Sequence, residues 1–556
     1  MAEQKSLNSN PQLNRLLNDI VESVNHYAEV QLAHIRSLTQ IGIALSSESD
    51  INKIFDLILE EALTYTNADG ATIYSVSDDK RFLDFQIVYN RTMKLRMGGA
   101  YGPISWPSIP LYQEDGSKQM RNLATYVAHT GTLQIIEDVY DQTIFDNSGT
   151  RKVDQQNKYR SKSMIAIPLK DHEDEVLGVV QLINAMNPEG EVVGFTNEHM
   201  AMLTSLASIA AIILTNKKLV VGLETLLHQF IRANANAIDR KSPYSGGHIT
   251  RVASLTEALA EHIQKCEVGA FADIEFTDDE MEEIALSGWM HDLGKIVTPV
   301  YIMDKATKLE TIFDRIELVR TRFELMQAVI ERDILRLEQG GKDAARQREL
   351  VEQLGRDLAF IEVSNIGGEF MKDEDMAALD RIGKCIYKSE GKSYFLLSDD
   401  EVKNLSIRRG TLLPEEFAIM QEHATITAEM LDQLTFPKKY RHVPLYASSH
   451  HEKLNGKGYP NQLSGDEMPL QARIIAIADL FEALTAADRP YKKWKTLTES
   501  LRIMGFCAKD GEIDKDILNL FIDSGLYLKY ANEYLKPKQI DDVDTDKIKS
   551  MYNPSE

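Results

Sequence analysis

The sequence predicts a multidomain protein in which an N-terminal α+β unit is joined by a long coiled-coil helix to an all-α C-terminal domain. Three observations carry this expectation. Segments of strand type, rich in β-branched and aromatic residues, are confined to residues 70–183. A heptad seam then runs through Leu206, Ile209, Ile213, Asn216, Val220, Leu223, Leu227 and Phe230 in steps of three and four. From about residue 231 the pattern is almost entirely helical. A chain of 556 residues also exceeds what one hydrophobic core organises.

Taken in order, residues 1–30 are polar and predict a frayed leading segment. A helical period follows through Ile35, Leu38, Ile41 and Leu45. It breaks at 46–50, and a second helix carries Ile54, Leu57, Ile58 and Leu63. Strands are expected at 70–76, 82–88, 132–136, 163–169 and 176–183, the last two as a hairpin. The seam at 203–240 has one polar interruption, Asn216, of the kind that fixes register, and predicts a parallel homodimer. Inside the helical domain, charged amphipathic segments at 312–337 and 343–360 flank Gly340-Gly341 and predict a helical hairpin. They belong to an insertion at 310–411 that carries no histidine. It is expected to stand apart from the site, as a lid or docking arm. Residues 536–556 read as a tail.

The bulk composition narrows the partners. With 43% hydrophobic and 26% charged residues, the chain is of ordinary globular type. A net charge of −23 disfavours a polymeric nucleic-acid partner. The three cysteines, Cys266, Cys385 and Cys507, are isolated and predict a reducing, cytoplasmic setting. The longest mostly apolar run, Leu206 to Leu214, is far below the ~20 residues of a membrane span. The polar start lacks a secretory h-region. Neither membrane attachment nor export is therefore expected.

The chemistry concentrates in His248, His291, Asp292, His423, His450, His451 and Asp479. These are seven nitrogen or oxygen donors on five segments, with no thiolate among them. A single tetrahedral zinc needs four ligands. Seven hard-to-borderline donors suit two octahedral-type ions sharing a carboxylate, iron or manganese ahead of zinc. Such pairs clamp the attacking and leaving oxygens of a phosphoester. Residues 282–290 read as a buried helix delivering His291 and Asp292, the natural bridge. His450 and His451, read as neighbours on one helix, project about 100° apart and suit adjacent ions. Lys295, one turn beyond Asp292, would neutralise phosphate charge or assist the leaving group. Its bland alternative is a helix-terminal lysine satisfying carbonyls.

Two resemblances add to this. Residues 31–215 resemble a GAF domain, carried by Val176-Leu-Gly-Val-Val-Gln-Leu-Ile-Asn184 and Phe195-Thr196-Asn197-Glu198. Ala185 stands where cyclic-nucleotide-binding members have lysine. The resemblance implies a sensor for an unidentified small molecule, or a dimerisation platform. Residues 231–535, apart from the insertion, resemble the HD-GYP phosphodiesterases of the HD phosphohydrolase superfamily. The matching pieces are Gly247-His248 with Arg251, His291-Asp292-Leu293-Gly294-Lys295, Met420 to His423, His450 to Pro460, Ala472 to Asp479, and Ala483 to Tyr491.

The second resemblance implies that all seven donors hold metal and that Asp292 and Lys295 act in catalysis. It also implies that Arg489, Tyr491 and Lys492 meet substrate, and that Gly456, Gly458, Tyr459 and Pro460 form the loop that names the family. The expected reaction is metal-dependent hydrolysis of cyclic di-GMP to pGpG, or through it to GMP, by hydroxide raised at two iron or manganese ions. The sensor would regulate it. Alternatives are a 3′,3′-cyclic GMP-AMP phosphodiesterase, a nucleotide phosphohydrolase, and a non-catalytic cyclic-dinucleotide receptor. Asn455 and Glu482 replace usual aspartates, with modest effects expected. Tyr244 stands where some members bind a third metal through glutamate, which favours a two-metal centre. The other histidines, His442 among them, are expected to be surface or packing residues.

Overall fold

Strand residues of the first half are apolar on both faces, so the sheet they form needs cover on both sides. The computed structural model describes residues 11–47, 51–242, 246–368, 370–486 and 494–553. The chain divides into two units, Met1–Thr225 and Leu226–Glu556. In the first, eight strands make one antiparallel sheet: β1 (Ala68–Val76), β2 (Phe82–Asn90), β3 (Leu95–Gly98), β4 (Ile109–Pro110), β5 (Gln134–Ile136), β6 (Met164–Lys170), β7 (Val176–Met186) and β8 (Val192–Val193). Their order is β3-β2-β1-β7-β6-β5, with β4 on β2 and β8 on β7. The expected hairpin is β6–β7, pairing Ile165 with Leu182.

Its helices are α1 (Pro11–Ser47), α2 (Ile51–Thr66), α3 (Leu123–Thr130), α4 (Ser148–Asn157) and α5 (Asn197–Lys241), the last of which ends in the second unit. Ile165, Ile167 and Leu169 point to a core shared with Phe55 and Leu59 of α2 and Leu206 and Ala210 of α5. The alternate residues Met164 and Ala166 point to a second core with Leu123 and Val127 of α3. This is period-two patterning with both faces buried.

Three expectations need correction here. The leading segment is helical from Pro11, because Leu13, Leu16, Ile20, Val24 and Tyr27 recur at helical spacing beneath a polar composition, although all five are exposed. The heptad seam is only partly free. Leu206 and Ile213 are buried against the sheet, whereas Val220, Leu223 and Phe230 remain exposed. Among the described residues α5 is the helix long and apolar enough to cross a membrane. One face of its run from Met202 to Ile213, including Leu203, Leu206, Ala210 and Ile213, lies in the sheet-facing core, while Ile212 is exposed.

The second unit continues with α6 (His248–Gln264), α7 (Asp278–Met290), α8 (Val300–Met303), α9 (Ile316–Gln339), α10 (Ala345–Asn365), α11 (Asp373–Gly383), α12 (Asp399–Leu405), α13 (Pro414–Asp432), α14 (Val443–Ser448), α15 (Leu470–Thr485), α16 (Leu497–Lys509), α17 (Lys515–Asp523), α18 (Leu526–Tyr534) and α19 (Thr545–Lys549). The hairpin α9–α10 forms as expected and has its own core, including Val319, Phe323, Ile330 and Ile361. The insertion also holds a two-stranded ribbon, β9 (Ile386–Ser389) and β10 (Lys392–Phe395). Its turn places Glu390 and Gly391 at φ 49° and 75°, the tight hairpin geometry that short polar strands conceal in a sequence. The expected tail is packed too, since Ile548 and Tyr552 are buried against α16 and its neighbours.

Candidate metal centre

Each donor segment is fixed by local chemistry. α7 opens on a capping box between Thr277 and Glu280 and ends at Met290, delivering buried His291 and Asp292 as the sequence predicts. A 3-10 helix, Leu293–Ile296, follows and presses against α13. A Cβ at Gly294 would lie 2.0 Å from the His423 carbonyl oxygen, so only glycine fits. Gly294 N–H donates to Thr427 Oγ1 at 2.9 Å, and Thr427 Oγ1 donates to the His291 carbonyl at 3.3 Å. α13 thereby sets both His423 and the His291–Asp292 pair. His248 is the first residue of α6, and α15 presents Asp479 and Glu482 one turn apart on one face.

His450 and His451 are not on a helix, contrary to expectation. α14 stops at Ser448 and both lie in the turn beyond it. The loop after them is drawn inward. Buried Glu452 accepts the N–H groups of Asn461 (2.6 Å) and Leu463 (3.0 Å), and a Cβ at Gly458 would come within 2.4 Å of Lys453 N. Tyr459 lays its ring on His451 with centroids 4.8 Å apart. Gly456 sits at φ 72°, and the Tyr459–Pro460 bond is cis.

The seven donors converge into two groups around one carboxylate. Asp292 Oδ2 lies 3.1 Å from His248 Nε2 and 3.2 Å from His291 Nε2. Asp479 Oδ1 is 3.4 Å from His248 Nε2 and 4.0 Å from His291 Nε2. Asp292 Oδ1 turns the other way, 3.5 Å from His423 Nε2 and 3.8 Å from His450 Nε2. His451 completes that second group, its ring 5.0 Å from His423 and 4.1 Å from His450. Donor atoms of His248, His291 and Asp479, and those of His423, His450 and His451, all lie within 4.8 Å of one another inside each set.

Hydrogen bonds fix the tautomers. Nδ1–H of His291, His423 and His450 donates to the carbonyls of Gly288 (2.7 Å), Met420 (2.5 Å) and Ala447 (2.6 Å). Nε2 of each is then a bare lone pair. These three Nε2 atoms and Asp292 Oδ1 are buried and find no hydrogen-bond partner. Converging acceptors with no proton between them repel unless a cation sits among them. The donor set therefore fits divalent metal, without sulfur and with one carboxylate shared.

The electrostatics agree. Burial alone would raise the Asp292 carboxyl, but Lys295 and His291 outweigh it and hold it well below its usual range. Burial lowers His423, takes His450 well below the imidazole range, and pushes His451 down to about 3. These rings stay neutral at pH 7, as ligands must. His248 differs. Burial would lower it, yet the charges of Glu482 and Asp292 carry it up to about 10. Lys295 Nζ donates to Asp292 Oδ2 at 2.6 Å.

Glu482 is the residue that sequence reasoning undervalued. Its buried carboxylate accepts His248 Nδ1–H at 2.5 Å and Arg251 Nε and Nη2 at 2.8 and 2.6 Å. The signal was its i+3 spacing from Asp479 on a buried helix face. His442, as expected, stays outside the cluster, with its backbone N–H on Glu283. Asn455 supports the loop through a bond to the Asp510 carbonyl. Arg489, Tyr491, Lys492 and Tyr244 lie outside the described residues. In the first unit, Asn184 is spent on structure, binding Tyr159 and the Arg160 carbonyl, and Ala185 is in the core.

Residues 50–214 match the GAF domain family and residues 399–517 match the HD domain family. The chain therefore carries a GAF-domain match in its N-terminal part and an HD-domain match in its C-terminal part. It is 38% identical over 113 residues to the 3′3′-cGAMP-specific phosphodiesterase 1 of Vibrio cholerae, covering 20% of this chain and 25% of that protein. It is 40% identical over 96 residues to a cyclic di-GMP phosphodiesterase of Thermotoga maritima, covering 17% of this chain and 26% of that protein. The chain thus spans about a quarter of the length of these relatives. The GAF domain from Acinetobacter phosphoenolpyruvate-protein phosphotransferase aligns at 12% identity, 34% of this chain, 97% of that chain and TM-score 0.23. The HD match includes His423, His450, His451 and Asp479, but stops short of His248, His291 and Asp292, which the insertion separates from it.

Proposed function

We propose that the protein is a metal-dependent phosphodiesterase for a cyclic dinucleotide, cyclic di-GMP in the leading case, opening it to pGpG or onward to GMP under control of the GAF domain. One observation carries the reading: the two oxygens of a single buried aspartate face two histidine groups, which meet where His291 and His450 both come within reach of Asp292. His248, His291 and Asp479 would hold one ion, His423, His450 and His451 the other, with Asp292 between them. When bound, two divalent ions, iron or manganese for this donor set, supply Lewis acidity toward water and phosphodiester.

The chain's own residues do the rest. The Asp292 carboxylate fixes the spacing of the two groups. Lys295 holds an ammonium beside Asp292 Oδ2, where it meets negative charge on a phosphate. Glu482 keeps the Nδ1 proton of His248 and leaves Nε2 turned inward. Tyr459 covers His451 and brings the family loop to the edge of the cluster. Arg489 is assigned to a substrate phosphate, and Tyr491 and Lys492 to the lining of the substrate groove, by resemblance alone. The homodimer is assigned to the exposed stripe Val220, Leu223 and Phe230, and the location to the cytoplasm.

A second substrate, 3′,3′-cyclic GMP-AMP, is favoured by the relative from Vibrio cholerae. The test is metal analysis of anaerobically purified protein with chromatography of products from both cyclic dinucleotides. We expect two ions per chain and a linear dinucleotide product. Full turnover in both His291→Ala and Asp292→Ala would refute the proposal.

A further inference from the structure

The last turns of α5 are built into the frame of the metal centre. Lys241, its final residue, donates through Nζ to the carbonyl oxygens of Lys295 (2.9 Å), Ile296 (2.5 Å) and Thr298 (2.6 Å). These carbonyls close the 3-10 helix that carries Lys295. One ammonium thus satisfies the acceptors that a next helical turn would have taken. Two residues earlier, buried Asp239 accepts Gly247 N–H through Oδ2 at 3.1 Å, immediately before His248. Ser242 adds a bond from its hydroxyl to Asp304 Oδ1 at 2.5 Å.

The apolar face of the same turns reaches the remaining donors. Ile231, Ala235 and Ile238 share a buried cluster with Ile249, Met290, Leu293 and Ala447. Ile249 follows His248, while Met290 and Leu293 bracket His291 and Asp292. The Ala447 carbonyl holds His450 Nδ1. Packed interiors transmit small displacements instead of absorbing them.

We propose that the C-terminal turn of α5 is a positioning element for the catalytic centre: Lys241 fixes the Lys295 loop, and Asp239 fixes the start of the helix that presents His248. Neither residue touches substrate or metal. A shift of α5 along or about its axis displaces Lys295 and His248 together, which gives the helix leaving the GAF domain direct purchase on the site. The effect on turnover rests on the phosphodiesterase reading; the positioning does not.

The experiment compares the full-length chain with Lys241→Met, Lys241→Arg and Lys241→Gln. It uses hydrogen exchange over 291–304, Mn²⁺ titration, and steady-state turnover of cyclic di-GMP. In Lys241→Met, exchange at 293–298 is expected to rise at least about tenfold, with kcat reduced about 10–100-fold and KM held within about twofold. Mn²⁺ affinity should change less than about threefold, because no donor is removed. Lys241→Arg, which keeps the charge and donors, should recover most of kcat. Lys241→Gln is too short for three carbonyls and should behave as Lys241→Met does, which covers the case of a methionine variant that fails to fold. Unchanged exchange at 293–298 in both neutral variants overturns the proposal. A wild-type protein that binds Mn²⁺ but turns over neither cyclic dinucleotide overturns the phosphodiesterase reading instead, and the exchange measurement still decides this one.

Discussion

Glu482→Gln and Glu482→Ala remove, in two grades, the carboxylate that holds His248. The side chain is 2% exposed and takes three bonds, one from His248 and two from Arg251. Glutamine keeps one acceptor for His248 Nδ1–H but loses the charge that balances Arg251. Alanine leaves both donors without their acceptor in a buried place. Breaking a buried ionic pair costs about 3–5 kcal/mol of stability. Removing the outer partner of a metal-bound histidine costs about 10–100-fold in affinity, or about 1.4–2.7 kcal/mol. His248 faces His291 and Asp479 and not the His423 group. The loss should therefore fall on one ion of the two. Calorimetric Mn²⁺ titration of the apo-protein should show one step weakened about tenfold in Glu482→Gln and up to about 100-fold in Glu482→Ala. The other step should move by less than about threefold and so serves as internal control. Both steps unmoved, or both weakened equally in a folded variant, would refute the division of the centre into two groups.

Four further outcomes follow from the same structure. Asp292→Asn keeps the shape but not the charge between the groups, so both Mn²⁺ steps should weaken at least about tenfold and turnover should vanish in the product assay. Lys305→Met breaks a buried bond of 2.8 Å to Glu416, on the helix that carries His423. It should lower stability by about 3–5 kcal/mol in urea unfolding. In chelator, the protein should lose stability as pH falls below 6.5. The half-buried His451, at about 3 when folded, takes up its proton only on unfolding across that interval. His248 acts in the opposite sense: its stabilisation is full below 6.5 and is lost as pH rises toward 10, so urea midpoints at pH 5, 7 and 9 should peak at 7. Light scattering should give a dimer, and Leu223→Glu, on the exposed stripe of α5, should yield monomer.

What the sequence made legible was whatever depends on short-range pattern. The alternation of β6 and β7, the Gly340-Gly341 hairpin and the helix that ends at His291 all read directly from spacing. The seven donors were legible because their residue types are rare together. Three things were hidden. The outer carboxylate Glu482 meets His248 across 234 positions of chain, and no local period reports such a pair. The packed tail is polar on average, and the anchors that dock it, Ile540, Val543, Ile548, Met551 and Tyr552 with buried Gln539, are too scattered to show a period. The heptad seam obeyed a real period, yet only its first half is covered: Leu206 and Ile213 meet the sheet, while Val220 and Leu223 are exposed. A stripe of Leu206, Ile213, Val220 and Leu223 looks the same whether a sheet or a second helix lies against it.

The placement of Glu482 follows from how each histidine obtains its tautomer. His291, His423 and His450 each donate Nδ1–H to the carbonyl three residues back, at Gly288, Met420 and Ala447. His291 and His450 follow helices and His423 lies within α13, so each has the carbonyl three residues back within reach and the chain fixes the inward lone pair of these three locally. His248 opens its helix instead. Gly246 and Gly247 just before it form a turn rather than helix, with Gly247 at φ 82°. Its Nδ1 proton must be held from elsewhere in the molecule, and a carboxylate is the acceptor strong enough to hold it in a buried site. That carboxylate needs its own counter-charge, and Arg251, three residues after His248 on the same face of α6, supplies it. Helix position thus decides which ligand needs distant support. For this reason a glutamate far along the chain, and not a further histidine, is the residue that holds His248 in the first donor group.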